Sequence, residues 1–185
     1  MKIKSASKKL AFSAVMAALC MVATYALAFP FPSGIGYFNV GDVVVLLAGW
    51  LLGPIYGGLA AGLGSMLADL FLGFASYMPA TFVVKGCVAV VGWALYSVCK
   101  KLIKKEGLDF LPRAISGLVA ELVMALGYFV FEALILGLGV GALASVTGNL
   151  LQGLCGCVGA VAVMSALYPL PAVRKLFPAL CARNG

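Results

Sequence analysis

Apolar residues in this chain come in long, nearly unbroken runs, separated by short segments of glycine, proline, aromatic and basic residues. Such runs lack the strict alternation of a half-buried strand, and those near twenty residues match the reach of a helix across about 30 Å of hydrocarbon. Six spans are predicted, at residues 10–29, 40–52, 57–72, 79–99, 114–136 and 146–168. The second and third are short for a perpendicular crossing. They are expected to be shallow, tilted or joined through a broken segment at Gly53-Pro54. Phe29-Pro30-Phe31-Pro32-Ser33-Gly34 cannot continue a helix and reads as an outer loop. Gly73-Phe74-Ala75-Ser76-Tyr77-Met78-Pro79 reads as a turn with interfacial aromatics. The expected fold is therefore an all-α integral membrane protein, a six-helix bundle forming one domain over residues 1–185, without internal repeats.

Composition agrees: the chain is 64% hydrophobic and 10% charged, with a mean hydropathy of +1.13. A soluble domain of this size has too little interior to hide that much apolar surface. Charge then orients the bundle. Lys2, Lys4, Lys8 and Lys9 precede the first run, and Lys100, Lys101, Lys104, Lys105 and Arg113 occupy one connection. Arg174, Lys175 and Arg183 follow the last run. Basic residues bunched beside spans follow the positive-inside rule, so both termini are expected in the cytoplasm, in a multi-pass membrane protein. The net charge of +7 thus serves orientation and contact with the anionic lipid bilayer. No stacking aromatics lie between the charges, which argues against nucleic acid. The N-terminus has the look of a signal peptide ending at Ala26-Leu27-Ala28. Its apolar run is longer than a signal core, so a retained first helix is expected.

Lys85 alone among the basic residues falls inside an apolar run, where a cationic group needs a partner or a purpose. Counting depth along each span gives it company. Asp42 is expected at the outer mouth of span two, Asp69 a turn below the outer end of span three, and Tyr128 and Glu132 near the outer end of span five. Asn149 and Gln152 begin span six, and Asn39 precedes span two. Helical phase groups Gly58, Gly62, Ser65 and Asp69 on one face, as it does Glu121, Ala125, Tyr128 and Glu132. Thr81 and Lys85 share a third face, and Asn149, Gln152, Gly156 and Gly159 a fourth. The convergence predicts a polar pocket open to the outside, with Phe74 and Tyr77 as a lid. Asn149 and Gln152 are the leading ligand contacts, since amides read donor–acceptor patterns. Plainer roles stand beside these. Asp69–Lys85 would serve as a structural ion pair, Asp42 as a helix cap, Glu121 as a protonated core group, and Trp50 and Trp93 as packing or belt residues. Gly53/Gly57, Gly58/Gly62 and Ala14/Ala18 are spaced by four, which suits close helix packing within the chain or against a partner helix.

The chain has no histidine, so imidazole zinc sites and serine–histidine or cysteine–histidine catalysis are excluded. Its six cysteines read as small apolar residues. No phosphate-cradling loop occurs. No cofactor is expected. An intramembrane enzyme using Glu121 and Glu132 would lack a metal or a histidine, and a stand-alone channel or facilitator would lack a polar path through the inner half. A binding pocket without an engine suggests a subunit that borrows one.

Several motifs carry a resemblance. Gly36-Tyr37-Phe38-Asn39-Val40-Gly41-Asp42, Gly53-Pro54-Ile55-Tyr56-Gly57, Gly62 through Ala68-Asp69, and Pro79-Ala80-Thr81 with Val84-Lys85-Gly86 resemble the S components of energy-coupling factor (ECF) vitamin transporters. Gly127-Tyr128-Phe129 with Glu132, and Asn149-Leu150-Leu151-Gln152, fit as well. The similarity covers about residues 10–168 and is nearest the riboflavin, hydroxymethylpyrimidine and pyridoxine-like branch. It implies six helices and an outward pocket for a water-soluble vitamin, closed by outer loops. It also implies docking on a transmembrane coupling subunit driven by two ATPase subunits, with the whole subunit toppling to release its ligand inside. The family's Ala-x-x-x-Ala docking stripe is matched by one repeat, Ala14 and Ala18.

Overall fold

The computed structural model describes residues 6–31, 36–103, 108 and 110–177. Expectations at Lys2, Lys4, residues 32–34, Lys104, Lys105, Cys181 and Arg183 lie outside the described residues. The elements run α1 (Ala6–Ala26), β1 (Phe29–Pro30), β2 (Tyr37–Phe38), α2 (Gly41–Leu52), α3 (Pro54–Leu72), α4 (Met78–Leu102), α5 (Leu111–Val130), α6 (Leu143–Leu167) and a short α7 (Pro171–Leu176). A π turn, Phe131–Ile135, extends α5, and 3-10 turns precede α4 and α6. Five helices are long and apolar enough to cross a bilayer, and α2 is a shorter apolar helix. The all-helical bundle is as expected.

Two features differ from the sequence reading in ways that matter. α3 begins at Pro54 and runs 19 residues, because proline suits the first helical position, where no N–H is needed. Only α2 is short. Gly53, at φ +84°, turns the chain from α2 into α3 within one residue, a conformation that favours glycine. The loop after α1 also carries a small antiparallel pair, Phe29 opposite Phe38 and Pro30 opposite Tyr37.

α2 is the central column. It packs against α1, α3, α4 and α6, and Val45, Leu46 and Ala48 are fully buried. Apart from Asp42 its sequence is apolar all round, as a helix enclosed by neighbours requires. Close approach is achieved with glycine. A Cβ on Gly57 would strike the Ala48 carbonyl of α2, and one on Gly62 would lie 2.6 Å from the Phe82 carbonyl oxygen of α4. These glycines therefore pack within the chain, whereas Ala14 and Ala18 face outward on α1. Trp50 is a core residue against Tyr96.

Contacts at one end of the bundle tie together the starts of α1, α3 and α5 and the end of α6. Lys9 lies over the Tyr56 ring, Arg113 and Arg174 flank the Tyr168 ring, and Phe12 meets Phe177 edge-on. The described basic residues other than Lys85 gather there or at the end of α4. The polar side chains described next occupy the opposite half.

Candidate functional site

Helix α2 is only 12 residues long, about 18 Å at 1.5 Å per residue, so its first turn starts well below the ends of its neighbours. Asp42 thereby meets Lys85 of α4, two turns into that helix, and Gln152 of α6, nearly three turns in. Lys85 Nζ donates to Asp42 Oδ1. Gln152 Nε2 donates to Asp42 Oδ2 at 2.6 Å. Gln152 Oε1 accepts from the Asn39 backbone N–H at 2.9 Å and from Asn39 Nδ2 at 3.1 Å. Asn39 Oδ1 in turn accepts the Gly41 N–H at 2.8 Å. Lys85 Nζ also lies 2.9 Å from Met124 Sδ and 5.7 Å from the centroid of the Tyr128 ring. Every side chain in this layer is nearly inaccessible. Non-helical backbone at such depth is tolerated only where protein satisfies it, and Asn39 and Gln152 do so.

This arrangement corrects two expectations. Lys85 pairs with Asp42 rather than Asp69, because the short α2 lowers Asp42 to the lysine's depth. Nor does Asp42 cap α2: the capping position is Val40, the Gly41 N–H goes to Asn39 Oδ1, and both Asp42 oxygens are engaged by Lys85 and Gln152.

Above that floor is a cavity lined by Phe31, Gly36, Tyr37, Asn39, Asp69, Tyr77, Thr81, Tyr128, Glu132, Asn149 and Gln152. Six of the eight residues expected at the site line it, and Asp42 and Lys85 lie beneath, joined to it through Gln152. The Tyr37 hydroxyl donates to Asp69 Oδ1 at 2.5 Å. Asp69 Oδ2 is buried with no hydrogen-bond partner among the described residues, although the Thr81 side chain approaches the same carboxyl. Thr81 and Tyr128 hydroxyls bond each other at 3.0 Å. Tyr77 donates to Glu132 Oε1 at 3.3 Å, and Ser145 donates to Glu132 Oε2. Burial and the neighbouring Asp69 charge push the Tyr37 hydroxyl far above the ordinary phenol range, so it remains a proton donor.

The enclosed volume is about 30 Å³, the share of roughly one water and far below the ~300–1,000 Å³ of ligand pockets. Aromatic side chains rim the cavity. Phe31 abuts Gly148 of α6, where a Cβ would strike its ring. Tyr37 packs on Phe74 at 5.0 Å, Phe74 on Tyr77 at 5.9 Å, and Tyr77 on Phe131 at 5.4 Å. Tyr77 lines the cavity and Phe74 packs between Tyr37 and Tyr77, whereas Phe31, Tyr37 and Ser145 are contacts that the sequence pattern did not bring out. Ser145 was detectable, since Ser145, Asn149 and Gln152 follow one helical stripe. Phe31 and Tyr37 carry no periodic signal.

Glu121 lies apart from the cavity. It is 4% exposed, and neither carboxyl oxygen has a hydrogen-bond partner among the described residues. It packs where a Cβ on Gly153 would fall 2.6 Å from its own Cβ. It is thus a core residue, not one of a pair with Glu132.

Comparison with known proteins adds the family. Residues 4–169 match the family model described as ECF-type riboflavin transporter, S component. An uncharacterized protein in gap 3'region from Pyrococcus woesei is 34% identical over 139 residues, covering 74% of this chain and 86% of that protein. The thiamine precursor transporter HmpT of Lactococcus lactis subsp. cremoris (strain MG1363) is 29% identical over 152 residues, 82% of each chain. A six-helix apolar bundle, a polar cavity at one end and a family match over nearly its whole length agree: this chain belongs to the ECF-type riboflavin transporter S components, membrane-embedded subunits that serve vitamin uptake and are not enzymes.

Proposed function

We propose that the chain captures a water-soluble vitamin or precursor of the hydroxymethylpyrimidine, pyridoxine or riboflavin type from outside a bacterial cell. A transmembrane coupling subunit and two ATPase subunits then drive its uptake. One observation carries the reading: a chamber lined by charged and amide side chains from separate elements, at the end of the bundle opposite the basic residues. Polar groups at such cost in hydrocarbon normally serve a substrate or ion path. Asn39, Asp69, Tyr128, Glu132, Asn149 and Gln152 are the proposed ligand-facing residues, with Asp42 and Lys85 fixing the floor. Entry requires Phe31, Tyr37 and Tyr77 to withdraw, since a ring compound exceeds the volume now enclosed. The residues to move stand on the β1–β2 loop and the turn before α4, not on the packed helices.

Below the floor, Leu46, Trp50, Met124 and Met164 fill the bundle, which disfavours a continuous conduit and favours release by an external motor. Ala14 and Ala18, exposed on α1, are the proposed docking stripe. The test is mass spectrometry of small molecules released from the purified chain, paired with uptake in cells. A heterocycle should co-purify, and Ala14→Leu with Ala18→Leu should abolish uptake while leaving binding intact. Uptake into liposomes by the chain alone would refute the subunit reading.

A further inference from the structure

Arg113 is a buried cation that lacks a counter-charge among the described residues. It is 2% exposed, and its Nε has no hydrogen-bond partner among those residues. Its guanidinium lies 5.0 Å from the centroid of the Tyr168 ring, and that of the exposed Arg174 lies 5.4 Å from the same centroid. The described carboxylates are elsewhere. Asp42 is bonded to Lys85, Asp69 and Glu132 line the chamber, and Glu121 stands eight residues further along α5, about 12 Å away. Helix dipoles account for one arginine only. Arg174 Nε donates to the Tyr168 carbonyl at 3.1 Å, at the end of α6, where a cation is favourable. Arg113 instead sits in the first turn of α5, where the positive end of the dipole opposes its charge. Two guanidinia beside one ring, one of them buried, repel each other until an anion joins them.

We infer that Arg113 and Arg174, with Tyr168 as their shared platform, bind a phosphate group at the basic end of the bundle. A guanidinium meets a phosphate with two parallel N–H bonds, and a pair of guanidinia shares its charge. The surroundings favour the phosphate of an anionic phospholipid over the free ion. Ile115, Leu170 and Leu176 are exposed, each two residues from Arg113, Tyr168 or Arg174, and supply apolar surface for acyl chains. Basic pockets between transmembrane helices at the cytoplasmic face recognise such headgroups. Clustered surface lysines give only a diffuse attraction to which each contributes alike, whereas a buried arginine gives one defined site. The Ala14 and Ala18 face is not involved, since α1 packs on α2 and α3 while Arg113 and Tyr168 belong to α5 and the end of α6. The site is independent of what the chamber binds.

The test follows thermal unfolding of the full chain in detergent with added phosphatidylglycerol, phosphatidylcholine or, at matched ionic strength, inorganic phosphate. Phosphatidylglycerol should raise Tm by at least about 4 °C beyond phosphatidylcholine. Arg113→Gln and Arg174→Gln should each remove more than half of that gain. Lys101→Gln, an equal loss of charge on an exposed side chain of α4, should keep it. Where Arg113→Gln does not yield folded protein, Arg113→Lys and Arg174→Gln carry the comparison, since lysine cannot make the paired bonds. A matching gain from inorganic phosphate supports the phosphate site and assigns it to the free ion rather than the lipid. A gain from neither source, an equal gain from phosphatidylcholine, or an equal loss in Lys101→Gln overturns the inference. So does a lipid gain untouched by arginine substitutions that nonetheless abolish uptake, which would give the guanidinia to an acidic side chain of a coupling subunit.

Discussion

Asp42 and Asp69 are both buried aspartates in apolar helices, yet the structure treats them in opposite ways. Asp42 has both oxygens bonded, to Lys85 and to Gln152, and its neighbours Asn39 and Gly41 close the network. Asp69 has one tyrosine bond and one oxygen unpaired among the described residues. A fully satisfied polar network specifies a unique core, whereas a partly satisfied one stores cost until something completes it. The first aspartate is therefore invested in the fold, and the second is the one we propose to face a ligand.

The sharpest way to break this comparison is at the ion pair. Lys85→Met should cost about 3–5 kcal/mol of stability, read by denaturant titration in detergent, because it strands the Asp42 charge. Adding Asp42→Asn should recover most of that loss; a double variant no better than the single would show that the pair is not the stabilising unit. Next in size is Gly156→Ala, whose new methyl would fall 2.6 Å from Asp42 Cβ. Forcing α6 away from α2 should cost about 1–3 kcal/mol in the same assay. At the rim, Tyr37→Phe removes one bond to Asp69 and should weaken ligand retention by up to about tenfold, with a faster dissociation rate. The smallest expected effect is on stability in Asp69→Asn, within about 1 kcal/mol of the parent, since no basic partner is lost. A drop there as large as for Lys85→Met would erase the distinction between the two aspartates.

Much of the architecture is legible in the sequence because run length and basic clusters speak directly to a bilayer. The helices at α1, α4, α5 and α6 fall within a few residues of expectation, and six of the named polar residues share one cavity. What was misread follows from one assumption, that every helix starts at the membrane surface. Under it Asp42 belongs at the outer mouth and Lys85 falls to Asp69. The structure shows instead a helix that begins deep, with Tyr37 and Asn39 of the preceding stretch lining the space above it. Phe31 and Tyr37 were missed for the same reason: strands of two residues leave no pattern to read. The glycine spacing was informative about proximity but not about partner, and Gly57 and Gly62 serve α2 and α4.

The abrupt joint at Gly53-Pro54 leaves α2 with three turns and a fraction, so the joint acts as a ruler for the height of the chamber floor. One more turn would lift the first residues of α2 by about 5.4 Å, carrying the aspartate out of the lysine's reach and shrinking the room above. One turn fewer would deepen the vestibule at the expense of the central column. The depth of the cavity in this architecture is thus tunable by length alone, without altering a single lining side chain.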